Sequence, residues 1–261
     1  MERYRRGKGK QKLLGSHQKC WIWGRNVVLE TLAAGRWQIL DLHLSADLEP
    51  AALNAALAQA RAQGVPVRVQ PADTLSRLCH TSEHQGYLAR MAAFPYAKED
   101  ELLAGLSPTP FCAILDGLQD PYNLGAVIRS AEIFAVEAVF IGARGQTGVT
   151  SMVARSSAGA VNRVPLARVA DLPALAARLK QRGLALMAAS EKATLPIAAV
   201  DLRRPVAVVL GSEGRGIRPE LIALSDVVAR IPQYGAVGSL NAAAAAAIVF
   251  YEVRRQRAAA G

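Results

Sequence analysis

The chain has 261 residues, 51% of them hydrophobic, so it is long enough for two modest domains with real cores. No apolar run has the length of a membrane span, and the first residues lack the apolar stretch of a secretory signal, so we expect neither feature. Cys20, Cys79 and Cys112 are too few and too widely spaced for a disulfide framework or a zinc site, which is typical of a cytoplasmic protein.

The net charge of +10 is spread unevenly along the chain. Residues 1–20 carry seven Lys or Arg against one acid, residues 21–110 carry seven against nine, and residues 111–261 carry seventeen against eleven. A basic tail and a basic C-terminal half indicate a polyanionic partner, most simply nucleic acid. A tail that only improves solubility is the alternative.

The first part of the chain has the pattern of a small α/β domain at 21–96. The tail at 1–20 lacks apolar periodicity and is predicted to be disordered until it binds a partner. A turn and a short helix are predicted for residues 22–32, and Asp73 is predicted to open a capped helix. Together the predicted elements form a layered unit. Its strands are predicted at 39–44, 65–69 and 87–91, and its further helices at 49–63 and 73–78.

Residues 97–109 contain three acids, a glycine and a proline and are predicted to be a linker, with or without a short helix. A second domain at 110–257 follows, in which strands alternate with helices. This alternation predicts a mostly parallel sheet covered on both faces, with ligands beyond the carboxyl ends of its strands. Its strands are predicted at 111–116, 138–141, 184–188, 206–210 and 226–231, and its helices at 123–134, 170–181 and 239–256.

Three loops at that edge have unusual sequences. In the first, Asn123 and Arg129 begin one helix, although an ordinary junction with an Asn cap and a surface Arg would have the same pattern. The second, 211–216, lacks the Lys-Ser/Thr ending of a P-loop and follows too late a strand for a dinucleotide fingerprint. It suits close approach to a nucleoside-like ligand, or else a tight glycine turn.

The third loop, residues 231–241, joins the last strand to the last helix. Ser239 is predicted to cap that helix. The six alanines Ala242–Ala247 would let a ligand, a partner helix or both approach its backbone closely. The three loops together predict a pocket walled by main chain, with Glu213, Arg129 and Tyr234 as its few titratable groups.

Other kinds of chemistry lack support in the sequence. There is no Ser-His-Asp pattern, no HExxH motif and no carboxylate pair at a useful spacing. His80 and His84 are four residues apart beside Cys79, but no second ligand pair accompanies them, so we expect no metal site. Residues 84–86 are instead predicted to form a turn before the strand at 87.

Read together and in order, the three loops resemble the three motifs of the SpoU (TrmH) family of RNA ribose 2′-O-methyltransferases. Residues 157–166 match as well, and the likeness covers about 111–256. Residues 23–28 and 84–90 resemble, more loosely, the ribosomal-protein-like RNA-binding domain of one subgroup. That subgroup includes bacterial large-subunit rRNA guanosine methyltransferases.

The resemblance implies a SPOUT α/β-knot fold with a deep trefoil knot. General topology rules disfavour knots, so the resemblance alone supplies this expectation. The knot would hold S-adenosylmethionine through main-chain groups of Gly211, Ile231 and Leu240, with Gly216 and Gly238 leaving room.

The resemblance also implies a homodimer formed through the C-terminal helix, an RNA partner, and neither DNA nor a membrane. Arg129 matches the catalytic arginine, which acts on substrate bound with the partner subunit's cofactor. Asn123, Glu213, Ser239 and Asn241 match other site positions. Because a guanidinium is nearly always protonated, we expect Arg129 to orient the hydroxyl and stabilise developing alkoxide or a phosphate, with base catalysis second.

The expected activity is methyl transfer from S-adenosylmethionine to a ribose 2′-hydroxyl of structured RNA, most simply a guanosine of 23S rRNA. A tRNA ribose methyltransferase and a non-catalytic RNA-binding ribosome assembly factor are the alternatives. A nucleotide-dependent oxidoreductase would need an early glycine-rich fingerprint, which the sequence lacks.

Overall fold

The computed structural model describes residues 20–236 and 238–259. The basic tail at 1–20, apart from Cys20, therefore lies outside the described residues. The described residues form a four-stranded sheet followed by a seven-stranded sheet. Among their helices, none combines the length and the apolar character needed to cross a membrane.

The N-terminal unit is a small mixed sheet with helices, as predicted. Its strand order is β1-β4-β2-β3, in which β4 is antiparallel to both β1 and β2, and β3 is parallel to β2. Its elements are β1 (Trp21–Trp23), α1 (Arg25–Ala34), β2 (Ile39–Ser45), α2 (Pro50–Ala62), β3 (Val67–Gln70), α3 (Ala72–Cys79) and β4 (Tyr87–Met91).

Two local predictions for this unit are wrong, and one is confirmed. β1 occupies part of the segment predicted as a turn, because pairing with β4 buries both of its tryptophans. Asp73 lies in the first turn of α3, and no side chain caps that helix. The turn before β4 is present, with Gln85 and Gly86 both at positive φ.

The C-terminal unit is a parallel sheet with the order β7-β6-β5-β10-β8-β11-β9. Every adjacent pair in it is parallel, so the predicted mostly parallel α/β architecture is confirmed. Its elements are α4 (Glu99–Ala104), β5 (Phe111–Asp116), α5 (Pro121–Ile133), β6 (Ala138–Gly142), α6 (Ser151–Ser156), β7 (Leu166–Val169), α7 (Leu172–Gln181), β8 (Ala185–Ala189), β9 (Leu195–Pro196), β10 (Val206–Gly211), α8 (Pro219–Leu224), β11 (Val227–Arg230) and α9 (Ala242–Ala258).

The central strand β5 is buried along its whole length, and its side chains alternate between two cores. Phe111, Ala113 and Leu115 join the core that includes residues of α5 and α9. Cys112 and Ile114 join the core that includes residues of α7 and α8. Burial raises the pKa of the Cys112 thiol to about 12. Helices therefore cover the sheet on both faces, which explains the continuous apolar sequence of β5.

The last strands are interleaved in the way that the knotted fold requires. β8 and β9 follow each other in the chain, yet β11 lies between them in the sheet. The connection at residues 190–194 therefore crosses β11 close to its end, where the Ser190 amide donates to the Ala229 carbonyl at 2.9 Å. The chain that leaves β11 must pass beside this crossing connection to reach α9.

The two units are docked through the segment at 151–164. The Asn162 amide donates to the Thr31 hydroxyl at 2.9 Å, and both residues are buried. Arg163 pairs with Glu30 nearby, with 2.7 Å between Nη2 and Oε2. One contiguous apolar core contains residues of both units.

Candidate active site

α5 begins two residues earlier than predicted. Asp120 is its N-cap and accepts from the Tyr122 amide at 3.1 Å, and Pro121 occupies the first turn. Asn123 is therefore not a cap, and its side chain is free to reach out of the helix. Gly125 faces α6, where an added Cβ would lie 1.8 Å from the Ser156 Oγ.

The loop after β10 is closed on itself by main chain. The Gly216 amide donates to the Ser212 carbonyl at 2.8 Å, and the Ser212 amide donates back at 3.2 Å. A Cβ on Gly211 would lie 2.2 Å from the Gly216 carbonyl carbon, and Gly216 has φ of +67°. The loop is a tight glycine turn, as one interpretation predicted, and it also lines a cavity, so close approach to a nucleoside-like ligand stays a prediction.

The far end of the same loop is anchored by an ion pair that sequence reasoning missed. Asp116, the buried last residue of β5, accepts from the amide, Nε and Nη2 of Arg218 at 2.8, 2.9 and 2.6 Å. These bonds raise the pKa of the Arg218 guanidinium. An acid that ends a buried strand was the available signal, since such a group needs a partner.

α9 begins at Ala242, and its N-cap is Asn241, so the predicted cap at Ser239 is wrong. The Asn241 Oδ1 accepts from the amides of Ala243 and Ala244 at 2.9 and 3.2 Å. Asn is as good a cap as Ser, and the chain becomes helical only after residue 241. Ser239 is exposed and lies at the rim of the cavity.

One carboxylate oxygen joins the three loops. The Glu213 Oε1 accepts from the Asn123 Nδ2 at 2.8 Å, from the Asn241 Nδ2 at 2.6 Å and from the Ala242 amide at 3.2 Å. The Asn241 Nδ2 also lies 3.0 Å from the Asn123 Oδ1. The position of this carboxylate at the N-terminus of α9 is favourable, because free helical N–H groups point toward it. We call these three side chains the Glu213 cluster.

Next to the Glu213 cluster lies a cavity of about 600 Å³, which is within the size range of small-molecule sites. It opens at the carboxyl edge of the sheet, between the connections that follow β8, β10 and β11. Its walls combine glycines and apolar residues with four charged residues, Glu191, Lys192, Glu213 and Arg215. They are formed by residues 189–194, 210–217, Ile222, Val228, Ser239, Leu240, Ala242 and Ala245.

The predicted cofactor residues fall into two groups. Gly211, Gly216 and Leu240 line the cavity, whereas Ile231 and Gly238 lie in the third loop but not on the cavity wall. Sequence reasoning missed the whole connection at 190–194 as a wall. That segment has no glycine or motif to mark it, and only its crossing over β11 brings it to the site.

The cavity does not contain Arg129 or Tyr234, so the prediction that both share it with Glu213 is wrong for a single chain. Arg129 is exposed on α5, and its side chain makes no hydrogen bond or ion pair with the described residues. At 100° per residue, a separation of six positions turns Arg129 far from Asn123 around the helix. Tyr234 is 97% exposed. Across residues 20–236 and 238–259, no group of three or more His, Cys, Asp or Glu side chains could hold a metal.

The fold and the cavity define an α/β protein with a nucleoside-sized site at the carboxyl edge of a parallel sheet. Residues 110–251 match the model of the SpoU rRNA Methylase family. Residues 21–97 match the model described as RNA 2′-O ribose methyltransferase substrate binding. The chain belongs to the SpoU rRNA methylase family, so the resemblance seen in its motifs is confirmed.

Two named relatives match along almost their whole length. YacO of Bacillus subtilis (strain 168), whose name places it in the TrmH family of tRNA/rRNA methyltransferases, is 33% identical over 93% of this chain and 98% of its own. The 23S rRNA (guanosine-2′-O-)-methyltransferase RlmB of Shewanella oneidensis is 33% identical over 90% and 97%. A solved AdoMet-bound rRNA methyltransferase from Sinorhizobium meliloti has a TM-score of 0.75, with 25% identity over 90% and 86%.

Proposed function

We propose that this protein transfers the methyl group of S-adenosylmethionine to the ribose 2′-hydroxyl of a guanosine in 23S rRNA. The observation that carries the proposal is the Glu213 cluster, which assembles three separate loops around one nucleoside-sized cavity. The RlmB relatives, which are named for this reaction, and the match to an RNA substrate-binding model support it. Its place of action would be the cytoplasm, where ribosomal RNA is found.

The residues present suit S-adenosylmethionine. Leu210, Ile217 and Val228 offer an apolar wall for a purine ring, and the main chain of Gly211 and Leu240 offers hydrogen-bonding groups. Bound there, the cofactor supplies a methyl group made reactive by its sulfonium. We still propose Ile231 and Gly238 as cofactor residues, because they belong to the same loop as Leu240, which lines the cavity.

The members of the Glu213 cluster bond to one another, so we assign them a positioning role. Asn123 and Asn241 fix the starts of α5 and α9 against the loop that carries Glu213. Fixed walls hold the sulfonium and the ribose in one geometry, and such alignment can supply a large part of the rate. Ser239, exposed at the rim, is available to contact substrate.

We assign Arg129 the role of acting on the substrate that is bound at the partner subunit's cavity in a homodimer. Ile133, one turn further along α5, is 63% exposed, and Tyr251 and Ile248 on the neighbouring α9 are 54% and 38% exposed. An exposed apolar face of this kind is typical of an interface. A dimer through α5 and α9 would cover it and carry Arg129 to the other subunit's cavity.

The structure limits what the alanine run can contribute to that interface. Ala242 and Ala246 are buried within the chain itself, where α9 packs beside α5, while Ala244 is exposed. The run therefore serves internal helix packing as well as the proposed dimer. At the partner's cavity, Arg129 orients the 2′-hydroxyl and stabilises the negative charge that develops on its oxygen.

The substrate is tested by mapping ribose methyl groups in rRNA and tRNA from a deletion strain. We expect one guanosine of 23S rRNA to lose its methyl group and the purified enzyme with S-adenosylmethionine to restore it. If all ribose methyl groups of rRNA are kept and one in tRNA is lost, the substrate is tRNA. No lost mark, together with no calorimetric binding of S-adenosylmethionine, would favour an RNA-binding assembly factor.

The dimeric role of Arg129 is tested by mixing two inactive variants. Arg129→Ala keeps a sound cavity, and Leu240→Glu keeps a sound arginine but places a carboxylate in the cavity. If Arg129 acts across the dimer, an equal mixture has one working site in each mixed dimer, which gives about a quarter of wild-type activity. Action within one subunit would leave the mixture inactive.

A further inference from the structure

Along the carboxyl edge of the seven-stranded sheet, one strand end after another carries an exposed basic residue. We call this set the basic row. From one side of the sheet to the other, it consists of Arg168 near the end of β7, Arg144 after β6, Arg215 after β10, Lys192 after β8 and Arg230 at the end of β11.

The charges of the basic row are not neutralised within the fold. None of its members forms an ion pair with a described carboxylate, and Arg168 instead donates to the Ala143 carbonyl at 2.8 Å. The opposite edge differs, because Arg178, Lys180 and Arg203 all pair with carboxylates there. Arg204 at that edge is also exposed without an ion pair to a described carboxylate, but the run of five such cations lies at the edge where the cavity opens.

The acids at this edge are mostly engaged by other groups. Asp116 pairs with Arg218, and the Glu213 carboxylate accepts a hydrogen bond from Asn123. Asp120 and Asp171 cap α5 and α7. Their negative charge is thus directed at main-chain N–H groups and partner side chains. Glu191, exposed beside Lys192 on the cavity wall, is an acid at this edge with no ion pair to a described residue, against five such cations in the basic row.

Two exposed aromatic residues are interleaved with the basic row. Tyr122, at the start of α5, follows β5 and is 58% exposed, so it stands between Arg144 and Arg215 in the order of the sheet. Tyr234, in the loop after β11, is 97% exposed and lies beyond Arg230. Basic side chains that alternate with exposed aromatic rings are the combination by which proteins hold single-stranded nucleic acid.

We propose that the basic row, Tyr122 and Tyr234 bind a single-stranded segment of the substrate RNA. Basic side chains hold its phosphates, and the two rings stack on unpaired bases. Neighbouring strands lie about 4.8 Å apart, so the row from β7 to β11 spans about 24 Å, enough for several phosphates. Arg215 and Lys192 also line the cavity, so a strand on this track brings a ribose past the cavity mouth. The inference rests on the proposed function.

The charge component is tested with the double variant Arg144→Gln/Arg230→Gln, since neither residue lines the cavity. Binding is followed by fluorescence anisotropy of a labelled oligouridine of about 20 nucleotides, longer than most single-strand sites. We expect weaker binding and a slope of log Kd against log salt that is smaller by about 1.4, for two lost phosphate contacts. The matched control is Arg204→Gln, an exposed arginine before β10 at the opposite edge.

The stacking component is tested with Tyr234→Ala, for which we expect oligouridine to bind at least about fivefold more weakly. Tyr234→Phe keeps the ring and should bind as the wild type does. An RNA duplex of about 20 base pairs serves as the second probe, so that each of its strands has as many nucleotides as the oligouridine. Its affinity should not change with Tyr234→Ala, because paired bases offer no free faces.

The outcomes separate this proposal from the proposed function. S-adenosylmethionine titration should be unchanged in all these variants, while Arg144→Gln/Arg230→Gln and Tyr234→Ala should raise the KM for 23S rRNA. If the row variants bind RNA as Arg204→Gln does, or lose duplex and oligouridine binding equally, the single-strand track is wrong while the methyltransferase stands. If the wild type methylates no RNA, the proposed function fails whatever the binding data.

Discussion

Asn241 uses the two ends of one amide for two different structures. Its oxygen caps α9, and its nitrogen donates to Glu213 and Asn123. The sequence pattern placed the cap at Ser239, because serine before an alanine run is a good start for a helix. The preference for residue 241 arises from the Glu213 carboxylate, which comes from a distant loop and is invisible to local reasoning.

The two functions of Asn241 can be separated by substitution. Asn241→Asp keeps the cap oxygen but loses the donor and sets a second carboxylate beside Glu213. We expect S-adenosylmethionine binding to weaken about tenfold, or about 1.4 kcal/mol, while the retained oxygen still caps α9. Asn241→Ala should also lower the free energy of unfolding by about 1 kcal/mol. Calorimetry and urea unfolding measure the two effects.

Ser239→Ala is the matched control for this series. Because Ser239 caps nothing, its free energy of unfolding should stay within about 0.5 kcal/mol of the wild type. A loss of unfolding free energy as large as that of Asn241→Ala would show that Ser239 does cap α9.

Arg129 is expected to matter for catalysis and not for stability. Its side chain makes no bond with the described residues, so Arg129→Lys should leave the free energy of unfolding within about 0.5 kcal/mol of the wild type. Lys keeps the charge but loses the planar fork. We expect kcat to fall about 100- to 1000-fold, as for other lost electrostatic stabilisers. Full activity in single-turnover assays would contradict the assigned role.

At the scale of elements, the packing of α5 on α6 positions the site more than the intrinsic preferences of either helix do. Gly125 allows this contact, because the Val153 carbonyl oxygen would lie 2.8 Å from an added Cβ and the Ser156 Oγ still closer. In the sequence, Gly125 and Ala126 show only that the side chains at the start of this helix are small. The sequence could not show that this face of α5 meets a six-residue helix, which was itself not predicted.

Gly125→Ala should therefore destabilise the protein. Overpacking of this kind costs about 1–3 kcal/mol, and urea unfolding would measure it. Adding Ser156→Gly removes the nearest atoms and should recover part of the loss. Gly214→Ala, where no atom lies within 4 Å of the added carbon, is the control and should be nearly neutral. Equal losses at Gly125 and Gly214 would point to backbone strain instead.

Elements with strong periodicity were predictable, and those defined by their neighbours were not. β4 and β5 lie where their apolar patterns placed them. β9 has two residues and exists only because β11 pairs with it. The cavity was foreseeable from its glycine loops, whereas its wall at 190–194 required the strand order, which no local pattern encodes.

At the scale of the whole molecule, the two units unfold as one if their shared core governs stability. We expect a single calorimetric transition for the wild-type chain. Asn162→Ala, which removes the buried bond to Thr31, should lower the free energy of unfolding by about 1–3 kcal/mol. The exposed pair of Arg163 and Glu30 should contribute less, so Arg163→Gln should cost at most about 1 kcal/mol.

Two resolved calorimetric transitions in the wild type would show that the two units unfold independently. The same conclusion would follow if Asn162→Ala lowered the melting temperature of only part of the calorimetric transition. The sequence predicted the composition of each unit but not this docking, because its contacts join residues about 130 positions apart. Only the family resemblance, and not periodicity, suggested the interleaved strand order.

The crossing of β11 by the connection at 190–194 has a consequence for biosynthesis. A chain emerges from the ribosome N-terminus first, so the seven-stranded sheet can begin to assemble before residues 239–245 are made. These residues form one wall of the cavity and supply the amides that bind Glu213. A nascent chain therefore has no complete cofactor site until its final helix has been synthesised and passed beside that connection. Premature termination before Ala242 would yield a protein with all the strands of its sheet but without that wall of the cavity, so we expect it not to bind the methyl donor.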